Sequence, residues 1–306
     1  MIPARARGDG VNPPPGGRIN ALTVDVEEAF QVAAFEPYVA REDWERFPAR
    51  LEANTRRILD LLARHEARAT FFVLAWVARR HPGLIRDIVG AGHELASHGM
   101  EHIRVTRQSP EAFFADARES RLILEEIAGV AVRGYRASTY SIGRENVWAF
   151  GKLAEAGYEY SSSVYPIRHD LYGWPEAPRD PFWPSGKIGE GVVEIPVATL
   201  EWRGRRYPCG GGGFFRLYPY WFSRWAWRRL NEQDGKSGVF YFHPWELDPE
   251  QPRLTGLGWK SRFRHYLNLH RMEARIGALL GDFRWESMDR VFAEVIGGEG
   301  GCRRSA

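Results

Sequence analysis

From about residue 20 to residue 242, short apolar runs alternate with segments of helical period, and no other feature restricts the fold of this chain as much. The stretch 20–27 reads as a strand in which Asp25 and Glu27, two residues apart, share one face. Between Arg50 and Glu66 the residues Leu51, Ile58, Leu61 and Leu62 recur at helical spacing, and 69–74 follows as a buried strand. The unit then repeats. A helix over about 82–89 precedes a strand over 93–96, a long amphipathic helix over about 110–127 precedes a strand over 130–136, and a helix over about 145–156 precedes a strand at 158–162. Apolar runs at 192–197 and 239–242 add further strands. Repeated β and α units of this kind favour a parallel sheet or barrel.

Two regions interrupt the pattern. Pro166 to Pro184 is rich in Pro, Trp and Tyr without a clear period and reads as a long loop of the kind that often carries function. Gly210 to Gly213 lacks the Gly/Lys pattern of a phosphate cradle and reads as a mobile turn at a site mouth. From Glu250 to Met288, Arg253, Lys260, Arg262, Arg264, Arg271 and Arg275 mix with Phe263, Tyr266 and Leu269, as expected of a solvated helical face packed on the barrel.

At 306 residues and 44% hydrophobic the chain can bury a sizeable core, and a net charge of +3 gives no case for nucleic acid. Cys209 and Cys302 cannot make a disulfide framework and lack metal-site spacing. The first residues hold no apolar stretch of the kind that an export signal or membrane span needs, so the expectation is a soluble, cytoplasmic protein. Twelve Trp and twelve Tyr supply flat amphipathic rings that suit sugar faces as well as cores.

The chemistry centres on His98-Gly99-Met100-Glu101-His102, where two imidazoles four residues apart fall on one face of a helical turn and can grip one metal ion. A third protein ligand and an open position would make such a site catalytic, and Glu101, Asp25 and Glu27 are the candidate carboxylates. Glu101 also fits the His-x-x-Glu-His pattern of inverted zinc peptidases. Against that reading, Gly99 is a poor helix residue and the segment directly follows a short strand. Asp25-Val26-Glu27 offers a carboxylate pair from a neighbouring strand, one able to ligate and the other to act as base.

Four motifs in order resemble the polysaccharide deacetylases with a NodB-like domain. Thr23-Val24-Asp25-Val26-Glu27 is similar to the family's spaced acid-x-acid motif, His98 to His102 to its two-histidine motif, Gly134-Tyr135-Arg136-Ala137-Ser138 to its arginine motif, and Phe240-Tyr241-Phe242-His243-Pro244 to its late histidine motif. Stretches at 24–32, 160–178 and 259–268 resemble the exopolysaccharide-locus branch, associated with exosortases and carrying a DUF3473-like C-terminal extension.

The resemblance implies a single α/β domain, a distorted (β/α) barrel over residues 19–249, with the site at the C-terminal ends of its strands. A flexible leader over 1–18, an extension over 250–290 packed on the barrel and a frayed tail over 291–306 complete the expected organisation. It implies Asp25 as general base, Glu27, His98 and His102 as ligands of a divalent metal such as zinc or cobalt, Arg136 as the partner orienting Asp25, and His243 as general acid. Thr139 and Tyr140 beside the arginine motif and Trp245 after the late histidine are expected to meet substrate, with His169 in the long loop as a further candidate. The implied reaction is removal of N-acetyl groups from hexosamines of a polysaccharide during exopolysaccharide biosynthesis.

Three departures from the family pattern stand out. Glu27 occupies the place of an aspartate ligand, Ser138 that of a proline, and Ser161 that of an aspartate, which leaves a supporting carboxylate unaccounted for. Two rival readings stay open here, the inverted zinc peptidase and a non-catalytic carbohydrate-binding relative.

Overall fold

The computed structural model describes residues 17–298. Residues 1–16 of the expected leader and 299–306 of the expected tail, with Cys302, therefore lie outside the described residues. Strand β1 (Ile19–Val26) is buried along nearly its whole length. Helix α1 (Leu51–Arg64) buries Leu51, Ile58, Leu61 and Leu62, the stripe visible in its sequence, and leads to β2 (Thr70–Val73). Strand β2 runs parallel to β1, with Thr23 opposite Thr70 and Val26 opposite Val73. Helices α2 (Ala75–Arg80) and α3 (Pro82–Gly90) precede β3 (Glu94–Ser97), and α4 (Pro110–Ala128) precedes β4 (Gly134–Tyr135). Helix α5 (Trp148–Glu155), β5 (Tyr160–Ser161) and β6 (Val193–Glu194) continue the parallel sheet in the order β1-β2-β3-β4-β5-β6.

Helix α4 illustrates how local chemistry sets the boundaries. Ser109 caps it by accepting from Ala112 N–H at 3.2 Å, Pro110 fills the first turn, and Gly129 ends it at φ 70. Val132 N–H then donates to Glu125 Oε1 at 3.0 Å instead of entering a ladder. The strand expected over 130–136 is for that reason only Gly134–Tyr135.

An antiparallel hairpin, β7 (Thr199–Trp202) with β8 (Arg205–Pro208), stands apart from the main sheet. Helices α6 (Gly212–Leu217) and α7 (Tyr220–Arg228) return the chain to β9 (Val239–Phe242), which pairs parallel with β1 from Ala21 to Val24. After α8 (Trp259–Tyr266) and α9 (Met272–Asp282), β10 (Arg284–Glu286) pairs with the start of β1. The result is a curled (β/α) half-barrel with helices outside and, among the described residues, no ladder between β6 and β9.

Irregular chain fills that gap. Val197 N–H donates to Val164 O at 3.1 Å, Ala198 N–H to Val239 O at 3.1 Å, and Tyr241 N–H to Gly210 O at 2.8 Å. The glycine run is part of this closure, which corrects the expectation of a mobile turn. Gly210 is buried, and a Cβ there would sit 2.5 Å from Val239 O; at Gly212 it would sit 2.0 Å from Glu246 Oε2. Only Gly213 is exposed, at the rim of the site. No described helix is long and apolar enough to cross a membrane.

Candidate metal centre and active site

The ends of β1 and β3 bring the two halves of the metal motif together. Asp25 lies on β1, and Glu27 one residue past its end, with both side chains buried. His98 directly follows β3, and the segment up to His102 is a loop, not the helical turn that the spacing predicts. Gly99 at φ 83 and His102 at φ 55 bend that loop, and at Gly99 a Cβ would lie 3.0 Å from Asp116 Oδ1. The bend nonetheless brings the imidazoles to 5.3 Å between ring centroids.

Glu27, His98 and His102 each present one ligand atom, and these atoms lie within 4.8 Å of one another. Glu27 Oε2 is 2.9 Å from His102 Nε2 and 3.9 Å from His98 Nε2, so the glutamate side chain reaches both imidazoles. His98 Nδ1–H donates to Arg136 O at 2.8 Å, which turns its Nε2 lone pair toward Glu27. Burial alone would raise the Glu27 carboxyl, but His102, His243 and His98 around it hold it at about 2. Burial lowers His98 to about 4, keeping it neutral as a ligand must be. Two imidazoles and the buried, ionised Glu27 carboxylate, one donor atom from each, fit a divalent ion of the zinc type.

Beside the triad, Arg136 Nη1 donates to Asp25 Oδ1 at 2.6 Å and to Thr23 Oγ1 at 2.7 Å. Its other nitrogens donate to Ser162 O and Ser162 Oγ, both at 3.0 Å. Arg136 is wholly buried. Glu194, opposite Ser161 across the β5–β6 pair, accepts from Ser163 N–H at 2.9 Å and Val164 N–H at 2.8 Å, fixing the strand end on which Arg136 leans.

On the other side of Glu27, His243 Nε2 lies 3.3 Å from Glu27 Oε1 and its Nδ1 3.4 Å from Glu246 Oε2. Sequence reading did not single out Glu246. It is fully buried, and Arg216 Nε donates to its Oε1 at 3.0 Å. Burial would lower His243, but Glu246, then Glu27, raise it to about 9. The signal available was His243-Pro244-Trp245-Glu246, whose acidic residue three positions on can turn back to the histidine.

A cavity of about 380 Å³ joins these groups. Thr139, Tyr140, His169 and Trp245 all line it, with Asp25, Glu27, His98, His102 and His243. Thr139 and Tyr140 adopt φ of 58 and 48, a conformation rare for β-branched and aromatic residues, and their buried hydroxyls lack partners. Trp245 stacks between His243 at 5.0 Å and His265 at 4.2 Å. His169 stacks on Tyr172 at 4.1 Å and stands in the wall, outside the ligand triad. Glu101 does not line the cavity, and the helix that a peptidase motif needs is not formed.

A buried carboxylate–imidazole triad at the C-terminal ends of parallel strands defines a (β/α)-barrel protein with a site suited to a metal. Residues 43–161 match the polysaccharide deacetylase family model, and residues 162–293 match DUF3473, a domain of unknown function. The chain therefore carries a polysaccharide deacetylase domain of NodB type joined to a DUF3473 domain. A chitooligosaccharide deacetylase of Sinorhizobium fredii is 50% identical over 149 residues, 48% of this chain and 61% of that protein. One from Rhizobium leguminosarum bv. trifolii is 39% identical over 148 residues, 48% and 60%. The match thus spans less than two thirds of either relative's length. A crystal structure from Mycobacterium smegmatis, provisionally described as a polysaccharide deacetylase, aligns with a TM-score of 0.61 over 96% of this chain and 94% of that one, at 20% identity, a likeness of fold.

Proposed function

We propose that this protein is a metal-dependent deacetylase that hydrolyses the N-acetyl group of hexosamine residues in a polysaccharide, in the service of exopolysaccharide biosynthesis. The observation that carries the reading is the meeting in one cavity of three elements: the Glu27–His98–His102 donor set, the Asp25–Arg136 pair and His243. The deacetylase family match and the chitooligosaccharide deacetylase relatives support it.

A divalent ion held by Glu27, His98 and His102 supplies Lewis acidity, acidifying water and polarising an acyl oxygen. Asp25, oriented by Arg136, accepts a proton as water oxygen attacks the acetyl carbonyl. Tyr140 N–H is committed to Ala137 O at 3.0 Å, so the backbone donor offered to the developing oxyanion is that of Thr139. His243, protonated at neutral pH, donates to the departing nitrogen as the carbon–nitrogen bond breaks, and acetate and a free amine leave.

The test is acetate release from an acetylated glucosamine oligomer by protein stripped with a chelator and then given zinc or cobalt. Loss on stripping and recovery on addition are the expected results. Tight oligomer binding without acetate release by the metal-loaded protein would instead support the non-catalytic carbohydrate-binding reading.

A further inference from the structure

Exposed apolar side chains are ordinary when scattered, but here several gather at the mouth of the cavity. Leu171, Leu217 and Phe263 line the cavity and are 42%, 46% and 52% exposed. Trp259, one turn before Phe263 on α8, is 75% exposed, and Tyr38 beside it accepts from Gly258 N–H at 3.3 Å. The rim is firmly held: Arg216 donates to the carbonyls of His265 and Leu267, both at 2.8 Å, and of Arg264 at 3.1 Å, tying the end of α8 to the site.

Along the α8 side of this rim the charge has one sign, and Asp170 beside Leu171 supplies the opposing acid. Between Glu250 and Glu273 the chain carries Arg253, Lys260, Arg262, Arg264 and Arg271 and no acidic residue. Arg264 pairs with Asp170 at 3.0 Å; among the described residues Arg253, Lys260 and Arg262 form no ion pair, and all three are exposed. Sugar hydroxyls call for carboxylate and amide acceptors, yet residues 252–267 contain no Asp, Glu, Asn or Gln. Exposed Trp and Phe on a short helix studded with Lys and Arg match instead the interfacial region of a bilayer, where rings sit at headgroup depth and cations meet phosphates.

The geometry points to the rim formed by α8, Leu171, Leu217 and Tyr38 as a docking surface for an anionic lipid membrane. Docked this way, the cavity mouth faces the bilayer, and material entering it comes from the membrane side. The inference concerns the rim alone and is read by binding, independently of acetate release.

The experiment is flotation of the full chain with phosphatidylcholine vesicles prepared with or without phosphatidylglycerol. Binding to the anionic vesicles, weakened by salt, is expected, with a roughly fivefold loss of affinity for each of Lys260→Ala and Arg262→Ala. Trp259→Ser is expected to weaken binding further, while thermal unfolding of all three variants stays that of the parent. Absence of binding by the parent, or variants that bind as well as it does, overturns the proposal. Capture by a soluble polyuronate but not by vesicles also overturns it and reassigns the rim to an acidic glycan.

Discussion

Arg136 Nη1 and Asp25 Oδ1 meet at 2.6 Å where neither side chain is more than 3% exposed. Removing one partner of such a pair strands the other charge away from water. Arg136→Ala is expected to cost about 3–5 kcal/mol of stability, read from the urea unfolding midpoint. A loss well below that range would mean that water or another cation replaces the guanidinium.

Asp25→Asn keeps the shape of the side chain and an oxygen for Arg136 but removes the proposed base. Turnover is expected to fall by about 10²–10⁴ while zinc content per chain stays at the parent value. Parental turnover in this variant would take Asp25 out of the proposed mechanism.

In the proposed mechanism the alkaline side of the rate profile belongs to His243. As a proton donor raised to about 9, it is charged below that pH and loses its proton above it, so kcat/KM is expected to fall as pH rises through about 9. Glu246→Gln removes the leading favourable influence on that proton and should shift the fall to lower pH. An alkaline limb that stays fixed in both Glu246→Gln and His243→Ala would assign it to another group.

Glu194 links pH to stability. Burial raises its carboxyl from 4.5 to about 7, so between those values the folded chain binds more protons than the unfolded one. Its contribution is full below about pH 4.5 and is lost as pH rises through about 7. Glu194→Gln, which imitates the neutral acid, should therefore gain up to about 3 kcal/mol on the parent at pH 8 and nothing at pH 4, as measured by denaturant titration.

Much of this was legible from residues alone, and for identifiable reasons. Strand β9 spans 239–242 as its apolar run predicts, and the α1 stripe points inward as its period requires, because burial and pattern report the same face there. The spacing of His98 and His102 identified a pair but not its backbone, since a loop with Gly99 and His102 at positive φ brings the two rings together as a helix would. Strand β10 escaped notice because Arg284–Glu286 acquires its neighbour from the other end of the chain, pairing Arg284 with Ile19. The missing carboxylate near Ser161 could not be found by position: buried carboxylates come instead from Glu194 across the sheet and from Glu246 beyond β9. Charge and burial are shared across elements, and sequence distance carries no record of that.

The irregular closure of the barrel has a consequence for how the chain can be divided. A cut after Ser161 leaves an N-terminal fragment in which β1 keeps β2 but forfeits β9 and β10, and β5 forfeits β6. Each forfeited ladder leaves apolar strand with unmet N–H and C=O groups, a surface prone to pair with other chains. Neither fragment is then an autonomous folding unit, and a protease that nicks 162–211 is predicted to bring down the whole molecule in one transition instead of releasing a stable half.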